Sequence, residues 1–335
     1  MDQPASATND YTLGNPQEPI EPDSTSDYDT DSVGSDLTSI ASSVFEYQYE
    51  NGRRYHAYRA GRYVLPNDET EQDRLDLMHH VFRLTLNGGL CLTQLENPLK
   101  ILDVGTGTGI WAIQVADEYP SAQVIGTDIS PIQPNWVPPN VQFQIDDAET
   151  NWAFPQDSFD FIHIRCGGGS IRNWPALLAQ AYDHLKPGGR IELSEGRTRM
   201  CCDDGTYSQE SSTYKWVDTF HQIARSHGLD FDPFDHYAGW LRQAGFENVI
   251  EEERPCPIGG WPKNKRLKEI GKVFKYQFLT MAVDSYSLAL FTRLGGWSVE
   301  ETQVLLAEVR SEFGPKQKAH LYTHCSYAIG QKPGR

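Results

Sequence analysis

The chain of 335 residues is short of several things, and each shortage removes a class of function. No apolar stretch approaches the roughly eighteen residues of a membrane span, so membrane insertion is not expected. The N-terminus has neither the basic flank nor the apolar run of a secretory leader, which points to a cytoplasmic or nuclear protein. None of the six cysteines, at 91, 166, 201, 202, 256 and 325, forms a Cys-x-x-Cys pair, and in a reducing compartment they read as free thiols. His320 and His324 have ligand-like spacing, but the sequence offers no obvious third ligand, so no metal is expected. Cationic side chains are scarce as well. Lys and Arg number 29 against 46 Asp and Glu, with no dense basic stripe to meet a phosphate backbone, which argues against direct nucleic-acid binding.

The scarcity is most extreme at the start. Residues 1–50 hold eleven acids and no Lys or Arg, and so carry −11 of the total −17. Residues 1–44 are rich in Ser, Thr, Asp and Pro and poor in large apolar side chains. They cannot bury enough surface to offset their chain entropy, so a disordered acidic head is expected there. Such a segment suits binding to a protein partner. No run of five to eight Lys and Arg marks a nuclear import signal, which weakens the nuclear alternative without removing it.

What the sequence does contain is a nucleoside-binding constellation. Ile101-Leu102-Asp103-Val104-Gly105-Thr106-Gly107-Thr108-Gly109-Ile110-Trp111 reads as a buried strand entering a glycine turn that opens a helix. Val124-Ile125-Gly126-Thr127-Asp128 reads as a second strand ending in an acid nineteen residues after Gly109. Gly105, Gly107 and Gly109 remove Cβ atoms where backbone must approach a ligand. Asp128, with Ile129 beside it, is placed to receive the hydroxyl pair of a ribose. The dinucleotide fingerprint asks for a small residue where Ile110 stands and offers a helix N-terminus to a pyrophosphate. Here the turn begins with Asp103, a carboxylate that repels a diphosphate and suits an ammonium. S-adenosyl-L-methionine carries an ammonium and a sulfonium and no phosphate, so it is the expected cofactor. The competing readings are an Asp103 that only organises the turn and a nicotinamide oxidoreductase on a similar sheet.

Downstream segments agree. Val141–Ala148 reads as a third strand ending in paired acids, of which Asp147, next to Ala148, is expected to meet the adenine amino group. Ser158–Ile164 runs apolar as a buried parallel strand should. Leu185–Leu193 reads as a helix end, a Pro187-Gly188-Gly189 turn and a fifth strand. Strands alternating with helical stretches imply an α/β, doubly wound sheet with its ligands at the strand carboxyl ends.

Three further regions frame the sheet. Residues 45–66 interleave Phe45, Tyr47, Tyr49, Tyr55, Tyr58 and Tyr63 with Arg53, Arg54, Arg59 and Arg62, a pattern expected to cover the cofactor pocket or to strap the N-terminus to the core. Asp68–Leu86 follows as an amphipathic helix, so that residues 45–94 form an N-terminal strap and helix ahead of a main domain at 95–335. That domain carries helical insertions at 195–247 and 264–313. Helices are expected at Thr213–His227, Phe234–Ala244, Arg266–Leu294 and Ser298–Phe313, with strands at Val249–Cys256 and Ala319–Gly330. The apolar insertion suits a lid and a pocket for a small organic acceptor.

On these residues the chain resembles the class I S-adenosylmethionine-dependent methyltransferases, most strongly over about residues 95–195. A narrower resemblance, to the fungal LaeA-like methyltransferases, rests on Glu50–His56, Tyr58-Arg59, Leu65–Glu69, Asp73–Asp76, Ile162–Arg165, Asp203–Thr206, Gly260–Lys263 and Lys332-Pro333-Gly334. The resemblance implies a Rossmann-like fold with a seven-stranded, mostly parallel sheet in the order 3-2-1-4-5-7-6, helices on both faces and a helical lid. It also implies methyl transfer to the oxygen or nitrogen of a fungal secondary metabolite. The alternative is a nuclear regulator of secondary-metabolite gene expression acting through protein partners. The end of the fourth strand is where transfer is expected, and strand alternation sets His163 and Arg165 on one face there. His163 is the expected base, against the reading of a packed histidine. Arg165 is expected to hold the acceptor or the cofactor carboxylate, against that of a tie to a neighbouring helix.

Overall fold

Strands of the main sheet are short apolar runs, and the pleat decides what each run packs against. A computed structural model describes residues 47–56, 63–314 and 317–334. The acidic head at 1–44 and the calls on Phe45, Tyr58, Arg59 and Arg62 lie outside the described residues. Seven strands form the sheet: β3 (Lys100–Val104), β4 (Gln123–Asp128), β5 (Val141–Ile145), β6 (Phe159–Arg165), β7 (Leu185–Gly196), β8 (Glu247–Pro257) and β9 (Tyr322–Gln331). Their order is β5-β4-β3-β6-β7-β9-β8, which counted from β3 is the expected 3-2-1-4-5-7-6. Neighbours from β5 to β7 pair in parallel, and β9 runs antiparallel to both β7 and β8. The earlier strands β1 (Tyr47–Glu50) and β2 (Arg53–His56) form a separate antiparallel hairpin.

Alternation along the strands sends Ile101, Val124 and Phe161 to one face, where α2 (Ile110–Glu118) covers them with Trp111 and Val115. Leu102, Ile125, Ile162 and Ile191 face the other way, against α3 (Trp174–His184) and α5 (Phe234–Ala244). A third core joins α1 (Glu69–Thr85) to the added helices α4 (Ser212–Ser226), α6 (Lys265–Gln277), α7 (Val283–Ala289) and α8 (Val299–Glu312). Burial of both sheet faces explains why the strands read as near-continuous apolar runs.

Local signals set the helix ends. The Asp68 carboxylate accepts the Glu71 amide at 3.0 Å, capping α1. Ser298 and Glu301 form both halves of a capping box at the start of α8. Gly245, at φ 103°, closes α5 in the left-handed region.

Two expectations need correction. The continuous helix foreseen over Arg266–Leu294 is interrupted by π turns at Phe278–Ala282 and Leu290–Leu294. Pro187-Gly188-Gly189 is not a turn before the strand. It lies inside β7, where the pairing with β6 shifts register between Phe159 and Phe161. Gly188 takes φ 82° there and its amide donates to the Lys332 carbonyl, so the extra residues are absorbed as a bulge.

Candidate active site

The site begins with a turn in which four amides are already engaged. Gly105 and Thr106 donate their N–H groups to the Thr127 carbonyl, Gly109 donates to Thr106, and the Gly107 amide donates to Asp128 Oδ2 at 2.8 Å. The second Asp128 oxygen accepts the Ser130 amide at 2.9 Å. A turn that presents its N–H groups to a diphosphate leaves them free, whereas here the amides of Gly105, Thr106, Gly107 and Gly109 are taken by the protein itself.

Above the turn lies a cleft, open at its mouth, at the carboxyl ends of β3, β4 and β6. Gly105 and Gly107 line it at φ 70° and 58°, a conformation that side chains rarely adopt. A Cβ at Gly105 would meet nothing within 4 Å, so the space the glycine leaves belongs to the cleft. Five carboxylates, of Glu71, Asp128, Asp146, Asp147 and Glu149, line the cleft against the guanidinium groups of Arg165 and Arg172. The balance favours a cationic ligand over a phosphate. Burial pushes the Asp128 carboxyl up to about 6, against the pull of the amides that bind it. Asn67, only 2% exposed, lines the same cleft with its Nδ2 lacking a hydrogen-bond partner.

A second cavity adjoins the first, and Tyr63, Leu75, Arg165 and Cys166 line both. Its walls are mostly apolar and come from α1, α4, α6 and the π turn at Phe278–Ala282. Helix α1 ties the two spaces together. Glu71 lines the first and Arg74 the second, and they form a buried bidentate ion pair at 2.7 and 2.8 Å. The Arg74 guanidinium also lies 5.1 Å from the Tyr286 ring centroid.

The sequence-predicted residues divide into two groups. Gly105, Gly107, Asp128, Ile129, Asp147, Ala148 and Arg165 all line the first cleft. Asp103, Gly109 and His163 do not, and their expected roles are corrected. Asp103 and His163 sit opposite each other in register on β3 and β6, one and two residues short of the respective strand ends. Both are buried. His163 Nδ1 donates to Asp103 Oδ1 at 2.7 Å, and its ring stacks on Trp111 with centroids 3.8 Å apart. Asp103 Oδ2 accepts the Thr106 hydroxyl at 2.5 Å, so this acid organises the turn from inside the protein. His163 has no access to either cavity, which removes it as a base acting on an acceptor. Gly109 serves packing: a Cβ there would lie 2.2 Å from Phe143 Cζ.

Arg165 keeps its place at the junction but is partly engaged. Its Nη1 donates to His79 Nδ1 at 3.0 Å, and His79 Nε2 donates to Gln114 at 3.0 Å. Burial and the adjacent Arg165 push His79 down to about 3, so it remains a neutral acceptor. Sequence reasoning missed Asn67, Glu195 and Gln277. Asn67 stood within a quoted motif, but nothing in the sequence says that its amide is left unpaired. Among the described residues, no three His, Cys, Asp or Glu side chains gather as a metal-ligand set, and no helix is long and apolar enough to cross a membrane. His320 Nδ1 is paired with Asp204 at 2.5 Å.

Comparison with known proteins adds the following. Residues 76–251 match the family described as "Methyltransferase domain". The methyltransferase pytC of Aspergillus terreus is 42% identical over 307 residues, which cover 91% of this chain and 93% of that protein. The secondary metabolism regulator laeA of Aspergillus fumigatus is 35% identical over 290 residues, covering 85% of this chain and 76% of the regulator. Among solved structures, a putative methyltransferase from an antibiotic biosynthesis pathway of Anabaena variabilis superimposes with a TM-score of 0.50 at 14% identity. It covers 77% of this chain and 99% of that one, and shows the shared fold.

Proposed function

The chain belongs to the S-adenosylmethionine-dependent methyltransferases, and we propose that it methylates the oxygen or nitrogen of a small organic acceptor, a secondary metabolite. The observation that carries this reading is the pair of adjoining cavities, one acidic with a glycine floor and the other mostly apolar, sharing Tyr63, Leu75, Arg165 and Cys166.

The residues of the first cleft suit the cofactor. Gly105 and Gly107 leave room for it, Asp128 receives the ribose hydroxyls with Ile129 alongside, and Asp147 with Ala148 meets the adenine. The unpaired Asn67 amide is a donor for the amino-acid carboxylate. When bound, the cofactor supplies a methyl group on a positively charged sulfur, and the electron pair of the broken carbon–sulfur bond stays on sulfur. The protein's share is to hold the acceptor at the junction and keep water out. Alignment of that kind is worth roughly 7–11 kcal/mol of barrier. Arg165, lining both cavities, orients whatever crosses between them.

The test is incubation with methyl-labelled cofactor and extract from a strain lacking the gene. One discrete labelled small product is the expected result, and repeated absence of any would overturn the reading. A second reading, a regulator working through protein partners, is favoured by the laeA relative and by the eleven acids of residues 1–50. Affinity capture that recovers only general chaperones would eliminate it.

A further inference from the structure

The second cavity describes its ligand by more than its size. The rings of Trp216, Phe220, Phe231, Phe274, Phe278 and Tyr286 line it, surfaces that match the flat face of an aromatic ligand. Arg74, Arg165, Arg197, Thr198, Thr323 and His324 interrupt that wall, and so do the two polar groups on which the argument rests, Gln277 and Glu195. Gln277, at the end of α6, is 1% exposed, and its side-chain oxygen accepts no hydrogen bond. A buried acceptor of this sort costs free energy unless a ligand supplies the missing donor. Directly after Gln277 the helix becomes the π turn Phe278–Ala282, and π turns recur at functional sites.

Glu195 is the other polar group. It lies near the end of β7, the strand next to β6, and lines this cavity but not the cofactor cleft. Oε2 accepts the Tyr237 hydroxyl at 2.8 Å and Oε1 the Gly168 amide at 3.3 Å, so the carboxyl group is fixed by donors from α5 and from the loop after β6. Cys166 and Arg165, which line both cavities, stand in the same wall. The hydrogen-bond donors that hold this carboxylate are neutral, Tyr237 and Gly168, while Arg74, Arg165 and Arg197 line the same cavity without a hydrogen bond to it.

Resting on the methyltransferase reading above, we propose that the acceptor is a flat aromatic compound with two hydroxyl groups, one giving its proton to Glu195 and the other donating to Gln277. The oxygen–hydrogen bond of the first hydroxyl breaks, its electron pair stays on oxygen to form the bond to methyl, and the proton goes to the carboxylate. Burial pushes Glu195 up to about 8, which keeps a base of this strength near the working pH. The second hydroxyl stays unmethylated and fixes the ring in the cavity.

The test uses the full chain saturated with S-adenosylhomocysteine, so that binding is read without turnover. The probes are 2,7-dihydroxynaphthalene and its dimethyl ether, followed by titration calorimetry and by the absorption of the naphtholate. The diol is expected to bind at least about tenfold more tightly than the ether, and Gln277→Leu to remove about five- to tenfold of that preference, the size of one hydrogen bond. S-adenosylhomocysteine affinity should be unchanged in Gln277→Leu, because residue 277 does not line the cofactor cleft. Glu195→Gln should still bind the diol but lose the naphtholate absorption and at least about a hundredfold in methylation of the diol with the active cofactor. Equal binding of diol and ether, an unaltered preference in Gln277→Leu, or wild-type turnover in Glu195→Gln would overturn the proposal. Failure of both naphthalenes on a protein that binds S-adenosylhomocysteine defeats the acceptor class alone. Failure to bind S-adenosylhomocysteine defeats the methyltransferase reading, and the proposal with it.

Discussion

Asp128 Oδ2 accepts the backbone amide of Gly107 at 2.8 Å, so the acid that ends the second strand of the sheet also holds the turn that ends the first. The same carboxylate faces the cleft where the ribose hydroxyls would bind. Asp128→Ala therefore loses both functions. Each hydrogen bond to a charged group is worth about 1.5–3 kcal/mol, so cofactor affinity should fall by about a hundredfold or more while the protein stays folded. Calorimetric titration with the cofactor, next to a circular dichroism melt, reads both parts. The pH profile adds a sign. With the carboxyl pushed up to about 6, it is ionised and fully accepting above that pH and protonated below it. Affinity should fall as pH drops through about 6, and Asp128→Asn should flatten that fall.

His163 and Asp103 make a second, purely internal pair. The imidazole is 1% exposed, stacks on Trp111 and donates to Asp103, which in turn holds Thr106 in the glycine turn. His163→Ala removes a buried ring and leaves the carboxylate without its donor, for a combined cost of about 3–5 kcal/mol. His163→Gln, which can still donate, should recover part of that stability. A group acting on the acceptor would behave otherwise, with turnover lost at unchanged melting temperature and unchanged cofactor affinity. For His163 we expect melting temperature and cofactor affinity to fall together, and a variant with wild-type stability and no turnover would contradict this.

The sheet was legible because its strands are buried on both faces, which leaves apolar runs such as Ile101–Val104 and Phe161–Ile164 bounded by turn residues. The cleft-lining acids at the strand ends were legible for a related reason: Asp128 ends one strand and Asp147 follows the next, at the carboxyl ends where a parallel sheet binds its ligands. Asp103 and His163 were misplaced because a two-residue period gives the face of a residue but not its depth along the strand. One and two residues below the respective strand ends, the same face meets α2 instead of the cleft. Gly109 was rightly read as intolerant of a side chain, but for the Phe143 ring rather than for a ligand. Glu195 and Gln277 had no local signature. They meet only where β7 and α6 are brought to one cavity by packing of distant segments.

Glu195 also leaves a mark on stability that is independent of any ligand. Burial raises its carboxyl to about 8, opposed by hydrogen bonds from Tyr237 and Gly168 and reinforced by the nearby Asp232 charge. A glutamate in the unfolded chain titrates near its ordinary value of 4.5. Between those two pH values the folded chain keeps a proton that the unfolded chain has released. Stability should therefore decline as pH rises from about 4.5 to 8, with the full penalty present above that. Glu195→Gln, which is neutral throughout and still accepts from Tyr237, should melt higher than the parent at pH 9 and level with it at pH 4. Melting curves across that range check the sign, and a variant less stable than the parent at pH 9 would refute the assignment of a raised Glu195.

Glu71 and Arg74 bring opposite charges into the interior, with side chains only 2% and 4% exposed, one turn apart on α1. Removing one partner and removing both are expected to have different consequences. Glu71→Gln leaves the guanidinium buried without its counter-charge, and breaking a buried pair in this way costs about 3–5 kcal/mol. Replacing both, as Glu71→Leu with Arg74→Met, removes the two desolvation costs together, so stability should return to near that of the parent or above it. Function should not return with it. Glu71 contributes one of the five carboxylates that make the cofactor cleft favourable to a cation, and Arg74 is part of the neighbouring wall. The double variant should therefore melt like the parent yet bind the cofactor about tenfold or more weakly, a loss of about 1.4 kcal/mol or more. Comparing the two single variants with the double one separates packing from recognition. If the double variant regained both stability and affinity, the pair would be a structural ornament of the helix, and the charge balance of the cleft would have to rest on Asp128, Asp146, Asp147 and Glu149 alone.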